Sequence, residues 1–161
     1  MLIYHGSTDI VSVPEIREAN RTLDYGCGFY ATTSFEQARQ WVLRRLYEQK
    51  RSVGFINIYA FEPKLLQGCK TLSFNSPTEE WVDFVMANRT QEGYCHDFDV
   101  VYGPVANDRV YAAFALFEGH IISKQALIAE LKTYKLVDQY LFHTEQALKC
   151  ITFIEAKEIR L

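Results

Sequence analysis

Three short segments of the sequence contain residue types that could bind or cleave a small ligand. The first is Tyr4-His5-Gly6-Ser7, at the end of a predicted strand. A histidine followed by glycine can present its imidazole while the glycine backbone approaches a flat ligand closely. A single histidine near a strand end is more often structural, so this segment alone leaves both interpretations open.

The second segment reads Gly-Cys-Gly-Phe-Tyr at residues 26–30, and Trp41 follows Tyr30 by eleven residues. Tyr30 lies on a predicted strand and Trp41 about two turns into the next predicted helix. Two aromatic faces in that arrangement could enclose a planar heterocycle. An ordinary aromatic contact between a strand and a helix in the core is the alternative.

The third segment is a late apolar strand that opens with a polar residue, at residues 138–144. Gln139, Leu141 and His143 share one face of it, because alternate residues of a strand point the same way. Buried polar side chains need partners, so this face predicts a cleft or a hydrogen-bond network. A strand with one solvated face is the alternative.

Asn107 and Asp108 follow a Gly-Pro pair and form a fourth candidate. Asn-Asp after Gly-Pro is typical of a turn. The alternative places both residues at the rim of a cleft, where they orient Gln139 or contact an acceptor. The sequence favours neither interpretation over the other.

The elements that must position these residues form an α+β pattern. The predicted strands cover residues 2–4, the stretch after Gly28, and residues 53–61, 99–102, 139–143 and 151–156. Helices are predicted from residue 13, from Ser34, from Ser76, over 110–117 and over 123–134. Short strands that alternate irregularly with helices indicate a mixed or antiparallel sheet with flanking helices, not regular βαβ units.

Capping residues predict where the two clearest helices begin. Ser34 is a suitable N-cap, with Gln37 three residues on to complete a capping box. Ser76 is followed by Pro77, which suits the first helical position, and by Glu79 at the box position.

Composition indicates one ordinary globular domain, residues 1–161. Hydrophobic residues make up 48% of the chain, enough to fill a core without disulfides. The net charge of -3 argues against a dedicated nucleic-acid binder. We expect a cytoplasmic protein with four free thiols and no metal site, because neither a signal peptide nor a membrane span is evident and the four cysteines lie far apart.

The ordered set of motifs resembles the ADP-ribosyltransferase superfamily. The order is His-Gly-Ser on a strand, then Gly-x-Gly-x-Tyr with an aromatic residue eleven positions on, then a late strand that opens with Gln-Tyr. Within that superfamily the chain is similar to the His-Tyr-Glu branch, and to a small bacterial family of unknown function proposed as toxins of toxin–antitoxin pairs. The resemblance covers residues 4 to about 150 and implies a split mixed or antiparallel sheet with flanking helices.

The resemblance implies NAD as the substrate and gives each motif residue a role. His5 would bind the adenine-side ribose, and the Gly6 backbone would bind the nicotinamide amide. Ser7 would add a contact to a ribose. Tyr30 and Trp41 would stack on the two faces of the nicotinamide. Asn107 and Asp108 would contact NAD from the rim of the cleft.

Gln139 occupies the position of the catalytic glutamate of that branch and is the main departure from it. Glutamine keeps an acceptor oxygen for the ribose hydroxyls but has no charge and cannot act as a general base. Mono-transfer to a macromolecular acceptor, protein or nucleic acid, is therefore the leading expectation. NAD hydrolysis and a non-enzymatic NAD- or ADP-ribose-binding module are the alternatives. Glu145 and Glu155 are nearby in sequence as other sources of a carboxylate, and a toxin would have an antitoxin protein as partner.

Overall fold

A computed structural model of the chain describes residues 1–17, 23–105, 108–134 and 136–161, without the side chains of residues 108 and 109. Within these ranges it is an α+β protein, as the sequence predicts. The strands are β1 Leu2–Ser7, β2 Phe29–Ala31, β3 Val53–Phe61, β4 Thr71–Ser73, β5 Val100–Pro104, β6 Asp138–Phe142 and β7 Ile151–Arg160. The α-helices are α1 Phe35–Gln49, α2 Glu79–Thr90, α3 Asp108–Glu118, α4 Lys124–Lys132 and α5 Glu145–Leu148, and a 3-10 helix spans Pro63–Leu66.

In the described residues the strands form two sheets, whose edges are joined by an isolated bridge. The first sheet has the order β1-β3-β7 and is antiparallel, and the second has the order β2-β6-β5-β4. Only the β4–β5 pair of the second sheet is parallel, so that sheet is mixed. An isolated bridge between Tyr4 and Thr32 joins the edges of the two sheets. We call the β1–β2 edge at Tyr4, His5, Tyr30 and Thr32 the seam.

Three apolar clusters hold these layers together. An aromatic cluster with members in both sheets, including Phe29, Tyr59, Phe61 and Phe142, packs the sheets against each other. Helix α1 packs on β1 and β3 through a second cluster, and α2, α3 and α4 pack on β5 and β6 through a third. The helices therefore flank the sheets, as predicted.

The helix starts show which capping signals operate. The hydroxyl of Ser34 accepts from the main-chain N–H of Gln37 at 3.2 Å, and α1 begins at the next residue. Helix α2 begins at Glu79, two residues later than Ser76 and its proline predict. The hydroxyl of Thr78 accepts from the N–H of Trp81 at 3.3 Å, so Thr78 is the N-cap instead.

The helix predicted from Val13 is wrong for the described residues 13–17, which contain none. The side-chain oxygen of Asn57 accepts a hydrogen bond from the N–H of Val11 at 2.8 Å. The Tyr59 hydroxyl donates to the main-chain carbonyl of Val11. Strand β3 thus holds the backbone just before this segment in a non-helical path. Residues 18–22 lie outside the described residues.

The remaining predicted elements are confirmed with small shifts at their ends. β1 continues to Ser7, β6 begins one residue earlier at Asp138, and β7 continues to Arg160. No helix in the described parts of the chain is long and apolar enough to cross a membrane.

Candidate functional site

His5 and Tyr30 are brought together at the seam. Tyr4 and Thr32 exchange two main-chain hydrogen bonds, of 2.8 and 3.0 Å. Beside this bridge, the carbonyl of Tyr30 accepts from Nδ1 of the His5 imidazole at 2.7 Å. A side chain thus continues the connection between the strands where regular pairing ends.

The bond to Tyr30 fixes the tautomer of His5, and burial favours its neutral form. A carbonyl oxygen only accepts, so Nδ1 carries the hydrogen and Nε2 of the neutral ring keeps an acceptor lone pair. Burial lowers the pKa of His5, more than the bond to Tyr30 raises it, and Arg17 lowers it further. The ring lies against Phe29, with centroids 4.5 Å apart. His5 is therefore a neutral imidazole with one nitrogen committed to the seam.

Gly6 and Trp41 are neighbours because α1 rests directly on β1. A Cβ atom at position 6 would lie 2.6 Å from the carbonyl oxygen of Ala38 and 3.2 Å from Cδ1 of Trp41. Real Cβ atoms do not approach backbone oxygens that closely, so only glycine allows this packing. The sequence motif His-Gly thus places the Trp41 ring beside the backbone of β1.

Tyr30 and Gly6 point to the same face at the seam, from strands on either side of it. Tyr4 and Thr32 face each other across the bridge, and Gly6 and Tyr30 are each two residues further along their strands. The Tyr30 hydroxyl donates to the carbonyl of Gly26 at 2.6 Å. Burial raises the pKa of Tyr30 well above its usual value, so the phenol stays protonated.

The two glycines before Tyr30 are required by the turn that leads into β2. Gly26 has a φ of 87° and Gly28 a φ of 143°. A Cβ atom on Gly28 would lie 2.5 Å from the Leu141 side chain on β6. This close approach lets β2 pair with β6, with Tyr30 opposite Leu141.

Gln139 lies in a buried hydrogen-bond network and is 8% exposed. Its amide nitrogen donates to the carbonyl of Pro104 at 3.4 Å. The Tyr25 hydroxyl donates to the same carbonyl at 2.8 Å and accepts from the indole N–H of Trp81 at 2.7 Å. The sequence predicted a cleft or a network for this face, and the network is found.

Gln139 shares a face with Tyr30. Leu141 pairs with Tyr30, and Gln139 is two residues away on the same strand. Burial raises the pKa of Tyr25, which also contacts Gln139 through its hydroxyl. The environment of Gln139 is therefore neutral and polar.

Asp138 has an anchoring role that sequence reasoning missed. Its carboxylate accepts from the N–H of Thr33 at 2.8 Å and from the hydroxyls of Thr33 and Thr32 at 2.5 and 3.1 Å. Its other neighbour is the Tyr102 hydroxyl, at 3.5 Å. This carboxylate ties the start of β6 to the end of β2. The two consecutive threonines after β2, Thr32 and Thr33, were the sequence feature that could have indicated this contact.

The turn that carries Tyr25 is held by a buried ion pair, which sequence reasoning also missed. Nε and Nη2 of Arg89 on α2 donate to one oxygen of Asp24, at 2.9 and 2.7 Å. The two side chains are 10% and 7% exposed. The guanidinium also lies over the rings of Tyr111 and Phe114.

Of the other five candidates, the structure describes Ser7, Glu145 and Glu155 with their side chains. The Ser7 hydroxyl accepts from the N–H of Asp9 at 3.2 Å in a turn. Asn107 lies outside the described residues, and Asp108 begins α3 with its side chain outside them. Glu145 begins α5 and is exposed, and Glu155 lies exposed on β7 in the other sheet.

Two cavities of about 280 and 190 Å³ lie elsewhere in the protein. The larger lies where β5 ends and β6 begins, between Ser76, Tyr102, Lys132 and Asp138. The smaller lies beside Pro63, Leu72 and Tyr140. None of His5, Tyr30, Trp41 and Gln139 lines either cavity.

The candidate residues are divided by the seam. Gly6 and Trp41 belong to the first sheet and its helix, whereas Tyr30 and Gln139 belong to the second sheet. Gly6, Tyr30 and Gln139 share one face, whereas the ring of His5 lies against Phe29 on the other. These residues and Trp41 supply aromatic rings, an imidazole and an amide, and none of these groups is charged.

Comparison with known proteins gives a family and no function. Neither the curated proteins nor the solved structures include a significant match to this chain. The model of one family, described as a protein of unknown function (DUF3990), matches residues 1–153. Because that match covers nearly the whole chain, the protein belongs to the DUF3990 family.

Proposed function

We propose that this protein binds NAD across the seam and transfers a single ADP-ribose group to a macromolecular acceptor. The observation that carries the proposal is the position of the three motifs on neighbouring strands. β1 carries His5 and Gly6, β2 carries Tyr30, and β6 carries Gln139, in the spatial order β1-β2-β6. Segments separated by more than a hundred residues therefore meet along the edge where the two sheets split.

The proposed NAD contacts use the groups that the geometry makes suitable. Nε2 of His5 accepts from a ribose hydroxyl, since Nδ1 is committed to Tyr30. The nicotinamide ring stacks between Tyr30 and Trp41, against the Gly6 backbone. Ser7 remains a predicted contact of a ribose. Asn107 and Asp108 remain predicted NAD contacts at the rim of the cleft.

In the proposed transfer, the bond between nicotinamide and ribose breaks and leaves positive charge on the ribose. Gln139 holds the ribose hydroxyls through its amide oxygen, and stabilises that charge less than a carboxylate would. One missing oriented charge can cost about 3 kcal/mol, or about a hundredfold in rate. The acceptor must then be nucleophilic enough to react without a general base from position 139.

A non-enzymatic NAD- or ADP-ribose-binding module is the second candidate, and the burial of Gln139 favours it. Its amide nitrogen donates to the Pro104 carbonyl, and it also contacts the hydroxyl of Tyr25, which accepts from the indole of Trp81. A glutamine kept for such a network stabilises the fold without taking part in a reaction.

Incubation with NAD labelled in the adenylate group separates these functions. Whole-cell lysate, protein and nucleic acid fractions serve as acceptors. Labelled macromolecule supports transfer, free ADP-ribose supports NAD hydrolysis, and binding without turnover supports the binding module. The absence of both binding and turnover would contradict the proposal.

Variants at position 139 test the mechanism in the same assay. We expect Gln139→Ala to lose activity and Gln139→Glu to keep or raise NAD cleavage. The glutamate variant should also be less stable, by about 1–3 kcal/mol, because its carboxyl group would face the Pro104 carbonyl without a donor. Full activity in the alanine variant would remove Gln139 from the mechanism.

We also propose that the protein acts in the cytoplasm as the toxin of a toxin–antitoxin pair. This proposal rests on the resemblance to the bacterial family proposed as such toxins. Expression in growing bacteria should stop growth, and co-expression of an adjacent gene product should restore it. Growth unaffected by an active, soluble protein would contradict the toxin role.

A further inference from the structure

Cys95 and His143 form a thiol–imidazole pair at the end of β6 opposite to Gln139. Sγ of Cys95 lies 4.0 Å from Nε2 of His143, and Cys95 is exposed to solvent. The two residues are 48 positions apart in sequence. Their proximity results from the fold, since the loop after α2 passes beside the end of β6.

The tautomer of His143 is fixed by its other nitrogen. Nδ1 lies 2.5 Å from the main-chain carbonyl of Cys27, in the glycine turn before β2. Because the carbonyl only accepts, Nδ1 carries the hydrogen in the neutral ring and Nε2 is an acceptor. The lone pair of Nε2 therefore faces the thiol of Cys95. A nucleophile, a base and a group that orients the base are the three parts that activate a thiol.

The charged and titratable neighbours of the pair are already engaged elsewhere. His96 stacks 4.5 Å from the His143 ring but uses both nitrogens, with the Tyr25 carbonyl and the Phe98 N–H. Asp97 pairs with Lys70, and Asp99 accepts from the Thr144 hydroxyl and the N–H of Lys70. The carbonyl of His96, 3.6 Å from Sγ, is the competing acceptor for the thiol hydrogen.

We propose that Cys95 is a covalent modification site for small-molecule disulfides, activated by His143. Nε2 takes the thiol proton, and the sulfur of Cys95 attacks one sulfur of the disulfide. A new sulfur–sulfur bond forms, the bond in the reagent breaks, and the departing thiolate receives the proton from His143. The site lies outside the residues of the proposed NAD contacts, so it stands independently of that function.

The other three cysteines provide an internal comparison. Cys150 is buried, whereas Cys27 and Cys69 are half-buried. Burial raises the pKa of the thiols of Cys69 and Cys150, which makes both less reactive at neutral pH. We therefore expect Cys95 to be modified first.

The test uses dithiobis(nitrobenzoate), whose released thiolate absorbs visible light, on the folded protein at pH 7. Peptide mapping by mass spectrometry identifies the cysteine. The same chain unfolded in urea gives the rate of an unactivated thiol. Because Nε2 of His143 can take the thiol proton, we expect Cys95 to react at least about threefold faster in the folded protein than in urea.

His143→Asn is the decisive variant, because the asparagine amide can still donate to the Cys27 carbonyl but provides no base. Its urea unfolding midpoint shows whether the fold is kept. Cys95 in the folded variant should react at the unfolded rate, and Cys95→Ser should lose the fast phase. A Cys95 that reacts equally fast in wild type and in folded His143→Asn overturns the proposal. So does a folded wild type in which Cys95 reacts no faster than in urea.

Discussion

The imidazole of His5 donates to the main-chain carbonyl of Tyr30 across 2.7 Å, beside the isolated bridge between Tyr4 and Thr32. The same residue pair lies at the centre of the proposed NAD site. One imidazole nitrogen thus stabilises the fold, and in our proposal the other accepts a hydrogen bond from the ligand.

Substitution of His5 should separate these two contributions. We expect His5→Ala to lower the free energy of unfolding by about 1 kcal/mol through loss of the bond to Tyr30. His5→Asn should retain most of this stability, because its amide can donate in place of Nδ1. Both variants should bind NAD more weakly, by about 1 kcal/mol or more, measured by calorimetry. NAD affinity unchanged in His5→Asn and in Tyr30→Ala would show that the site is elsewhere.

Nicotinamide binding should quench the fluorescence of Trp41. Trp41 lies beside Gly6, whereas Trp81 is fully buried and donates to the Tyr25 hydroxyl. We expect Trp41→Phe to abolish the quench on titration with nicotinamide or NAD, and Trp81→Phe to preserve it. The reverse pattern would exclude stacking on Trp41.

The ion pair of Arg89 and Asp24 should contribute far more to stability than an exposed pair does. Removal of one partner of a buried pair leaves an uncompensated charge. We therefore expect Arg89→Met to lower the free energy of unfolding, measured in urea, by about 3–5 kcal/mol. Arg45 and Glu48 on α1 form a partly exposed pair at 3.1 Å. The control Arg45→Met should cost less than about 1 kcal/mol. Equal losses of unfolding free energy in the two variants would mean that burial does not determine how much an ion pair contributes to stability.

His96 should make stability depend on pH just below neutrality. Nε2 donates to the Tyr25 carbonyl and Nδ1 accepts from the Phe98 N–H, so the ring must be neutral in the folded protein. Burial lowers the pKa of His96 below 6.5, with a further contribution from His143. The unfolded chain therefore binds more protons as the pH falls through about 6.5, and the stability present above that pH is progressively lost.

Urea unfolding between pH 7.5 and 5.5 checks this expectation. His96→Gln can still donate to Tyr25 but does not titrate in this range, so its stability should fall less over the interval. His120→Gln, at an exposed turn, is the matched control and should follow the wild type. A His96→Gln profile parallel to that of the wild type would contradict the assignment.

Local signals in the sequence predicted most of the fold. The Ser34 cap and the apolar run Val53–Phe61 each depend on residues within one element, and both are found where expected. β4 and α5 have three and four residues, too few to give a periodic pattern. The absence of a helix from Val13 depends on distant residues, since Asn57 holds the preceding backbone across 46 positions.

The site was predictable in its composition but not in its connections. The order of His5, Tyr30 and Gln139 pointed to strands that turn out to be neighbours. No sequence pattern shows that Gln139 meets the carbonyl of Pro104, or that Arg89 meets Asp24 across 65 positions. The first contact arises from the pairing of β6 with β5, and the second from the position of α2 beside the turn before β2.

The single bridge at Tyr4 and Thr32 has a mechanical consequence. The two sheets share an aromatic cluster on one side, but their edges are joined by two main-chain hydrogen bonds and the imidazole of His5. A small rotation of one sheet against the other would pivot on the aromatic cluster and leave both sets of strand pairs intact. Such a rotation would change the separation between Trp41 and Tyr30, so that separation depends on the angle between the two sheets and not on any one side chain.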